Sequence, residues 1–462
     1  LSQQYFMDSS EYLADSLNIE SWLKYTDNKL SRKELKEGLY EKVSGTELAE
    51  KLKGLGENEA ADYVILAQEL DKEVMKFGSY WEPAEPIEEQ LLGDIREGIL
   101  VKQATLKDDF LKERYTFQLM KIDAKVDNWS SLMTDYIKYQ AELKTITYIS
   151  EWSQSRYAGA MLHKGDSANA IIEFANIFAN SPTRRNQADL SVRRIPRINF
   201  EAAVKACSSE EERINVLALQ AVQPFQDGLT LMKSIAAINP NHPMLELVMA
   251  REINKNEVNF YAEKNAGLYF HNLDVYDDDY KIDSLKVAKI KSEGLSYFEE
   301  LLAFNNQLLS NINLANNAYW LSTAAYFNYI KGDLRVMKTL LDKAKNENTA
   351  NPSLAKQINL FESLHLLATN PEILTILNQI ANFKNIENFR DNNVLALLTD
   401  KLKGNYLKEE KAKKKKAGWL QGCHDNTTEG DNLPDHLIRA FLAENIAAVK
   451  EDGYTYMNGT SE

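Results

Sequence analysis

Gly165-Asp166 and Gly332-Asp333 sit in two stretches of this sequence that can be laid over one another. Seven residues before each glycine stands an alanine, Ala158 or Ala325. Five residues after it comes Ala170 or Met337, and nine after it Phe174 or Leu341. Pro182 closes the first copy and Ala344 extends the second. This spacing leaves the chain few options. The glycine reverses it between two helices, the small residues let those helices approach, and the large one fills the groove toward the next pair. A third, degenerate copy centres on Asp127, with Trp129, Leu132, Tyr136 and Tyr139 on its second helix. Its start lies about 38 residues before the next, near the 34-residue period of helix-pair repeats.

Helix signals fill the rest of the chain. Ser31-x-x-Glu34, Ser44-x-x-Glu47 and Ser209-x-x-Glu212 are capping boxes ahead of apolar residues at helical spacing. Tyr63, Leu66, Leu70, Val74 and Phe77 recur at intervals of three and four. The 462 residues include only 19 glycines and 10 prolines, about 4% and 2% against usual shares of roughly 7% and 5%. Few turn formers mean long helices. Most prolines, Pro83, Pro86, Pro182, Pro196, Pro240, Pro243, Pro352 and Pro371, fall between periodic segments. The expected fold is an all-α solenoid of about eight to ten tandem antiparallel helix pairs, without a sheet.

Charge and composition exclude several function classes. With 54 basic and 68 acidic side chains the net charge is −14, which opposes attraction to nucleic acid and anionic membranes. No apolar run approaches the roughly 18 residues of a bilayer span. Two cysteines, Cys207 and Cys423, build neither a disulfide framework nor a metal cluster. The chain opens on Leu1 with no signal-peptide pattern, so the expectation is a missing N-terminal segment.

Beyond the repeats, four stretches stand out: Asn18-Ile-Glu-Ser-Trp-Leu-Lys-Tyr25, Glu113-Arg-Tyr-Thr-Phe-Gln-Leu119, Ser181-Pro-Thr-Arg-Arg185 and Leu245-Glu-Leu-Val-Met-Ala-Arg-Glu-Ile253. On these and the repeat spacing, the chain resembles tetratricopeptide-like proteins. More specifically, it is similar to a set of long helical-repeat proteins, many lipid-anchored, of Bacteroidetes and some Proteobacteria. The resemblance covers roughly residues 15–390 and departs from the tetratricopeptide consensus in lacking the Trp at the fourth repeat position. It implies a bacterial cell-envelope location, periplasmic or lipid-anchored at the missing N-terminus, and it implies no particular activity.

The expected organisation is a helical region over 1–110, repeats over 111–256, a Tyr/Asp-rich insertion or loop over 257–285, repeats over 286–400, and a Lys-rich linker, short helix and frayed tail over 401–462. The insertion carries Tyr261, Tyr269, Phe270, Tyr276 and Tyr280 beside Asp274, Asp277, Asp278, Asp279 and Asp283. Loops longer than about 15 residues are often functional.

The sequence carries no phosphate-cradling glycine loop, nucleophile elbow, His-Glu-x-x-His or Cys-x-x-Cys, so no cofactor, metal site or catalytic residue is assigned. Glu362-Ser-Leu-His365 puts a carboxylate and an imidazole on one helix face, but a di-iron bundle needs two such motifs and two more glutamates. The aspartate cluster offers hard oxygen ligands without an EF-hand's glycine and terminal glutamate. Lys413–Lys416, diluted by Glu409 and Glu410, reads as a solvated charge run. Cys423-His424 lacks a visible third group to orient a base. Asn128, Asn426 and Asn458 head short sequons that arise by chance.

In tetratricopeptide arrays the concave face is built from the first helix of each pair. Counted from the glycine, that face holds Trp152, Ser155, Gly159, Leu162 and His163 in one copy, and Tyr319, Ser322, Tyr326, Tyr329 and Ile330 in the other. Mixed aromatic and hydroxyl groups suit peptide docking. The expected function is a non-catalytic scaffold that binds a protein or peptide, not nucleic acid, through Trp152, Ser155, His163, Tyr319, Ser322, Tyr326 and Tyr329. The alternative is an enzyme or metal-dependent protein with its site at Glu362 and His365 or in the aspartate-rich loop.

Overall fold

A computed structural model describes residues 3–41, 46–74, 76, 86–142, 147–224, 226–262, 274–347, 351–369, 371–382, 394–405 and 408. The protein is all-α, with no strand among the described residues; Tyr276 and Ile282 form an isolated antiparallel bridge. Ser44, Phe77, Pro83, Tyr269, Phe270, the Lys413–Lys416 run, Cys423-His424, Asn426, Asn458, the helix expected near 433–450 and the tail lie outside the described residues.

The chain divides into two compact units, Leu1–Glu252 and Ile253–Glu462. The first holds α1 (Gln3–Tyr25), α2 (Arg32–Lys36), a π-helical turn (Glu37–Glu41), α3 (Thr46–Gly54), α4 (Asn58–Val74), α5 (Glu89–Thr105), α6 (Asp109–Lys125) and α7 (Trp129–Glu142). It continues with α8 (Tyr148–His163), α9 (Ser167–Asn180), α10 (Arg185–Val192), α11 (Arg197–Ala206), α12 (Glu210–Ala221) and α13 (Gly228–Ile238). Helix α14 (Pro243–Phe260) runs through the division. The second unit adds α15 (Ser284–Leu309), α16 (Asn317–Lys331), α17 (Leu334–Glu347), α18 (Pro352–Ala368), α19 (Ile373–Ala381) and a helical stretch at 394–405.

The repeat glycines lie where the spacing predicts. Gly165 ends α8 at φ +85° and Gly332 ends α16 at φ +82°. Each turn is closed by two backbone bonds. Asp166 N–H donates to Met161 C=O at 2.9 Å and Gly165 N–H to Leu162 C=O at 3.0 Å. Asp333 and Gly332 repeat this toward Asn328 and Tyr329. This is the Schellman closure, which satisfies the last carbonyls of one helix. The aspartate then caps the next helix, with Asp166 accepting from Asn169 N–H and Asp333 from Val336 N–H.

Two further turns share the geometry. Asp127, the centre of the degenerate copy, has φ +56°, and Asn128 N–H donates to Asp123 C=O at 2.8 Å. Gly56, between α3 and α4, has φ +86°, with Glu57 N–H on Leu52 C=O at 2.9 Å. At all four turns the residue seven before and the residue five after are buried to within 2% exposure: Ala49 and Ala61, Met120 and Leu132, Ala158 and Ala170, Ala325 and Met337. Accordingly α3 packs on α4, α6 on α7, α8 on α9 and α16 on α17.

The first unit is organised around α6. Its residues from Glu113 to Met120 are all buried, as are Leu111, Ile122 and Asp123. Trp22, Leu35, Leu48, Leu70, Leu92 and Tyr115 fill one core against it. Met120, Leu132, Tyr136 and Ala160 form a second. In the second unit Ala318, Leu321, Ala325, Met337, Leu341 and Ile358 make one core, and Ile376, Ile380, Leu395 and Leu398 another. At the crossing of α14 and α15 a Cβ on Gly294 would stand 3.0 Å from the Phe260 backbone nitrogen, so glycine sets that close approach.

The 257–285 stretch is only partly loop: residues 257–260 complete α14 and 284–285 begin α15. Within 274–283, Asp277 accepts from the N–H groups of Asp279 and Lys281, and Asp283 caps α15 through Leu285 and Lys286 N–H. Among the capping boxes, Ser31 and Glu34 bond reciprocally. Ser209 caps α12, while the Glu212 carboxylate reaches one residue further back, to Ser208 N–H at 2.7 Å.

A built Cβ meets nothing within 4 Å at Gly165 or Gly332, so alanine there meets only backbone strain. Each of Gly165→Ala and Gly332→Ala should cost about 1 kcal/mol. Gly159, inside α8 with equally open surroundings, should gain roughly 0.5–1 kcal/mol as alanine. Scanning calorimetry should show lowered midpoints for the first two and a raised one for the third.

Candidate functional site

A helix buried on all sides normally lacks polar groups, yet α6 carries five buried ones: Glu113, Arg114, Thr116, Gln118 and Asp123. Each makes at least one hydrogen bond, as burial demands, although Gln118 Oε1 is buried without a donor. Arg114 Nη2 donates to Ser21 Oγ at 2.6 Å, Tyr148 Oη at 3.1 Å and Asn18 Oδ1 at 3.2 Å. Its guanidinium lies 3.5 Å from the Phe110 ring centroid and 5.5 Å from that of Trp22. Glu113 accepts from Ser150 Oγ at 2.8 Å and from Thr147 Oγ1, tying α6 to the start of α8. Arg96 donates to Asp123 at 2.8 Å and to Asp135 at 2.6 Å. Three of the stretches singled out in the sequence thus carry polar anchors: Asn18, Ser21 and Trp22 meet Arg114, and Thr183 meets α8.

That last contact holds Trp152. Its Nε1–H donates to Thr183 Oγ1 at 2.9 Å, fixing the half-buried indole between the α6–α8 and α9–α10 segments. Phe117 of α6 lies against it, ring centroids 5.8 Å apart. Two guanidiniums lie against this ring pair. Arg184 stands 4.2 Å from the Trp152 centroid and Arg156 stands 5.1 Å from the Phe117 centroid. The Nε atoms of both arginines are buried without an acceptor. Burial, reinforced by the Arg184 charge and opposed by Asp71, pushes the Arg156 pKa down to about 10. Burial alone pushes Arg184 to about 10. Both stay protonated at neutral pH. Lys121 of α6 pairs with Asp71, and burial lowers its pKa as well.

The other expected contact residues of α8 are placed differently. Ser155 is buried, its hydroxyl donating to Gln187 Oε1 of α10. His163 is exposed and stacks on Trp129, centroids 4.0 Å apart and planes 8° from parallel. Gly159 and Leu162 are half-buried.

In the second unit, Ser322 is buried and donates to Tyr319 C=O at 2.8 Å. Tyr326 is also buried, with its hydroxyl on Glu257 and its ring stacked on Phe361 at 5.0 Å. Burial first, then the Glu257 charge, drives its pKa well above the ordinary tyrosine value. Tyr319 and Tyr329 are half-buried, Tyr329 lying 6.1 Å from Tyr326. Structure therefore brings Tyr326 and Tyr329 together and leaves Tyr319 against Trp320.

Glu362 faces Lys345 at 3.0 Å and Lys338 at 3.8 Å. Burial lowers the His365 pKa, with Lys338 adding to it. Among the described residues no group of three or more His, Cys, Asp and Glu side chains could hold a metal ion, and no helix is long and apolar enough to cross a membrane.

Sequence reading passed over a groove of about 480 Å³ between α7, α8 and α9, lined by Tyr136, Ile137, Ala141, Gln154, Tyr157, Glu173 and Asn176. Tyr136 stacks on Tyr157 at 4.3 Å. Gln154 Nε2–H donates to Glu173 at 2.7 Å, but burial outweighs that bond and raises the Glu173 pKa.

No protein-family model, curated protein or solved structure matches this chain.

Arg114→Met leaves Ser21 Oγ and Tyr148 Oη without the guanidinium donor, while Asn18 Oδ1 keeps the Tyr148 hydroxyl. Urea unfolding should register a loss of about 2–3 kcal/mol. Glu173 sets a pH dependence. Below the carboxylate range both folded and unfolded chains hold the proton, and stability is intact. As pH rises, the unfolded chain ionises first, so stability falls until the raised folded pKa is passed. Glu173→Gln should remove that decline, which begins at the ordinary carboxylate pKa of about 4, and raise the midpoint at neutral pH, read by thermal unfolding in matched buffers.

Proposed function

We propose that this chain is a non-catalytic scaffold that docks a protein or peptide on the concave face of a tetratricopeptide-like solenoid. Helix-pair turns of one geometry at Gly56, Asp127, Gly165 and Gly332 support the solenoid reading. The binding reading rests on one observation: helices that open those pairs present half-buried aromatic side chains, Trp152 and Tyr319 with Tyr329. Such side chains offer large, rigid contact area beside a polar end, the composition of binding hot spots. Ser155, Ser322 and Tyr326 hold internal partners and would act behind that surface; His163 would sit at its edge. The resemblance to envelope-associated helical-repeat proteins adds a cell-envelope location to this reading and no activity.

The test is comparative affinity capture from the native organism with wild-type chain, Trp152→Ala, and the double variant Tyr319→Ala/Tyr329→Ala. A partner held by wild type should bind at least about tenfold more weakly to one of the variants, while circular dichroism of that variant stays helical. Equal capture by all three overturns the reading.

A further inference from the structure

We propose that Arg156 and Arg184 form a binding site for an oxyanion, a carboxylate or phosphate group brought by a ligand from outside this chain. The first unit gives its other enclosed arginines oxygen partners. Arg96 has Asp123 and Asp135, and Arg193 has Asp189. Arg114 has three oxygen acceptors, and Arg185 donates to the carbonyls of Phe178 and Ala179 at the end of α9. Arg156 and Arg184 break that pattern together. Among the described residues neither guanidinium donates a hydrogen bond to a protein atom or pairs with a carboxylate, and both Nε–H groups are buried. Asp71, whose charge acts on Arg156, is paired with Lys121.

Two like charges in a partly buried place repel one another and lose hydration, a penalty of several kcal/mol per ion. Their rings return only part of it, since a desolvated cation–π contact is worth about 2 kcal/mol. Ring contact also fits the guanidiniums to a task. A ring contact takes up no N–H donor, so the guanidinium keeps the fork of donors that matches the paired oxygens of a carboxylate or phosphate. The Trp152 ring is itself locked by Thr183. Both side chains keep part of their surface exposed. Lys121, beside Arg156, is already paired with Asp71, so the two arginines are the cations left without a carboxylate here. The site shares Trp152 with the proposed docking face, and its test leaves Trp152, Tyr319 and Tyr329 unchanged, so the two readings can fail separately.

The test uses the full chain at constant ionic strength, with sodium phosphate, sodium succinate and sodium chloride in parallel. Thermal unfolding and titration calorimetry are the readouts. Phosphate, succinate or both should raise the wild-type midpoint above the chloride value by several degrees at saturating millimolar anion. A response to phosphate alone assigns a phosphorylated ligand; a response to succinate assigns a carboxylate. Arg156→Met and Arg184→Met should each weaken that anion at least tenfold and should raise the midpoint in chloride, because an unpaired charge has gone. Arg197→Met, at an exposed arginine, should change neither. If a methionine variant does not fold, Arg184→Lys keeps the charge and loses the fork, and its affinity should still drop. A wild type indifferent to both anions, or a response that survives at both positions, overturns the proposal.

Discussion

The first unit depends on what Arg114 does inside α6. A helix surrounded by protein on every side needs most of its polar groups matched, because each unmatched one costs about 1–3 kcal/mol, more than the roughly 1 kcal/mol that a made hydrogen bond contributes. Arg114 meets that condition with one nitrogen that reaches α1 twice, through Asn18 and Ser21, and α8 once, through Tyr148. Glu113, one residue away, grips the start of α8 through Ser150 and Thr147. Adjacent residues on a helix point about 100° apart, so the pair clamps two different neighbours. Both of the unit's cores described above include residues of α6, Tyr115 in one and Met120 in the other.

The second constraint is the turn. A left-handed residue followed by a helix-capping one reverses the chain with no backbone donor or acceptor wasted. Glycine meets it at 56, 165 and 332, and aspartate at 127, where a short polar side chain tolerates the same φ. Once the turn is set, the residues seven before and five after face each other across the pair, which is why small or flexible side chains recur there. Local backbone chemistry thereby dictates which helices are neighbours.

How much of this was legible follows from where the information lies. The turns at Gly165 and Gly332, and the buried positions around them, were readable because glycine, aspartate and spacing are local. Gly56 escaped notice because Glu57 replaces the aspartate and α3 is short. The aspartates of 274–283 suggested a ligand shell; the structure gives Asp277 and Asp283 backbone N–H groups to hold, a role invisible without the chain's path. Arg156 and Arg184 were unreadable as a pair: they are 28 positions apart in the sequence, and only the meeting of α6, α8 and the α9–α10 turn sets them beside one pair of rings. Ser155 and Ser322 lie on the helix stripes the repeat predicts, yet neighbours cover both.

Acidic excess at the level of the whole chain and arginines within the fold belong to one design. Long cationic side chains can bridge several helices at once, and the guanidinium does so with directional donors that an ammonium lacks. Each such bridge requires oxygen atoms in return. At Arg114 side chains on α1 and α8 supply them, and at Arg185 the last carbonyls of α9 do. At Arg156 and Arg184 the fold supplies aromatic faces instead, which orient a guanidinium without saturating it. The same residue type therefore serves as a structural clamp where acceptors are built in, and as a recognition group where they have to arrive from elsewhere. What separates the two uses is the neighbouring helix, through the choice between an oxygen and a ring.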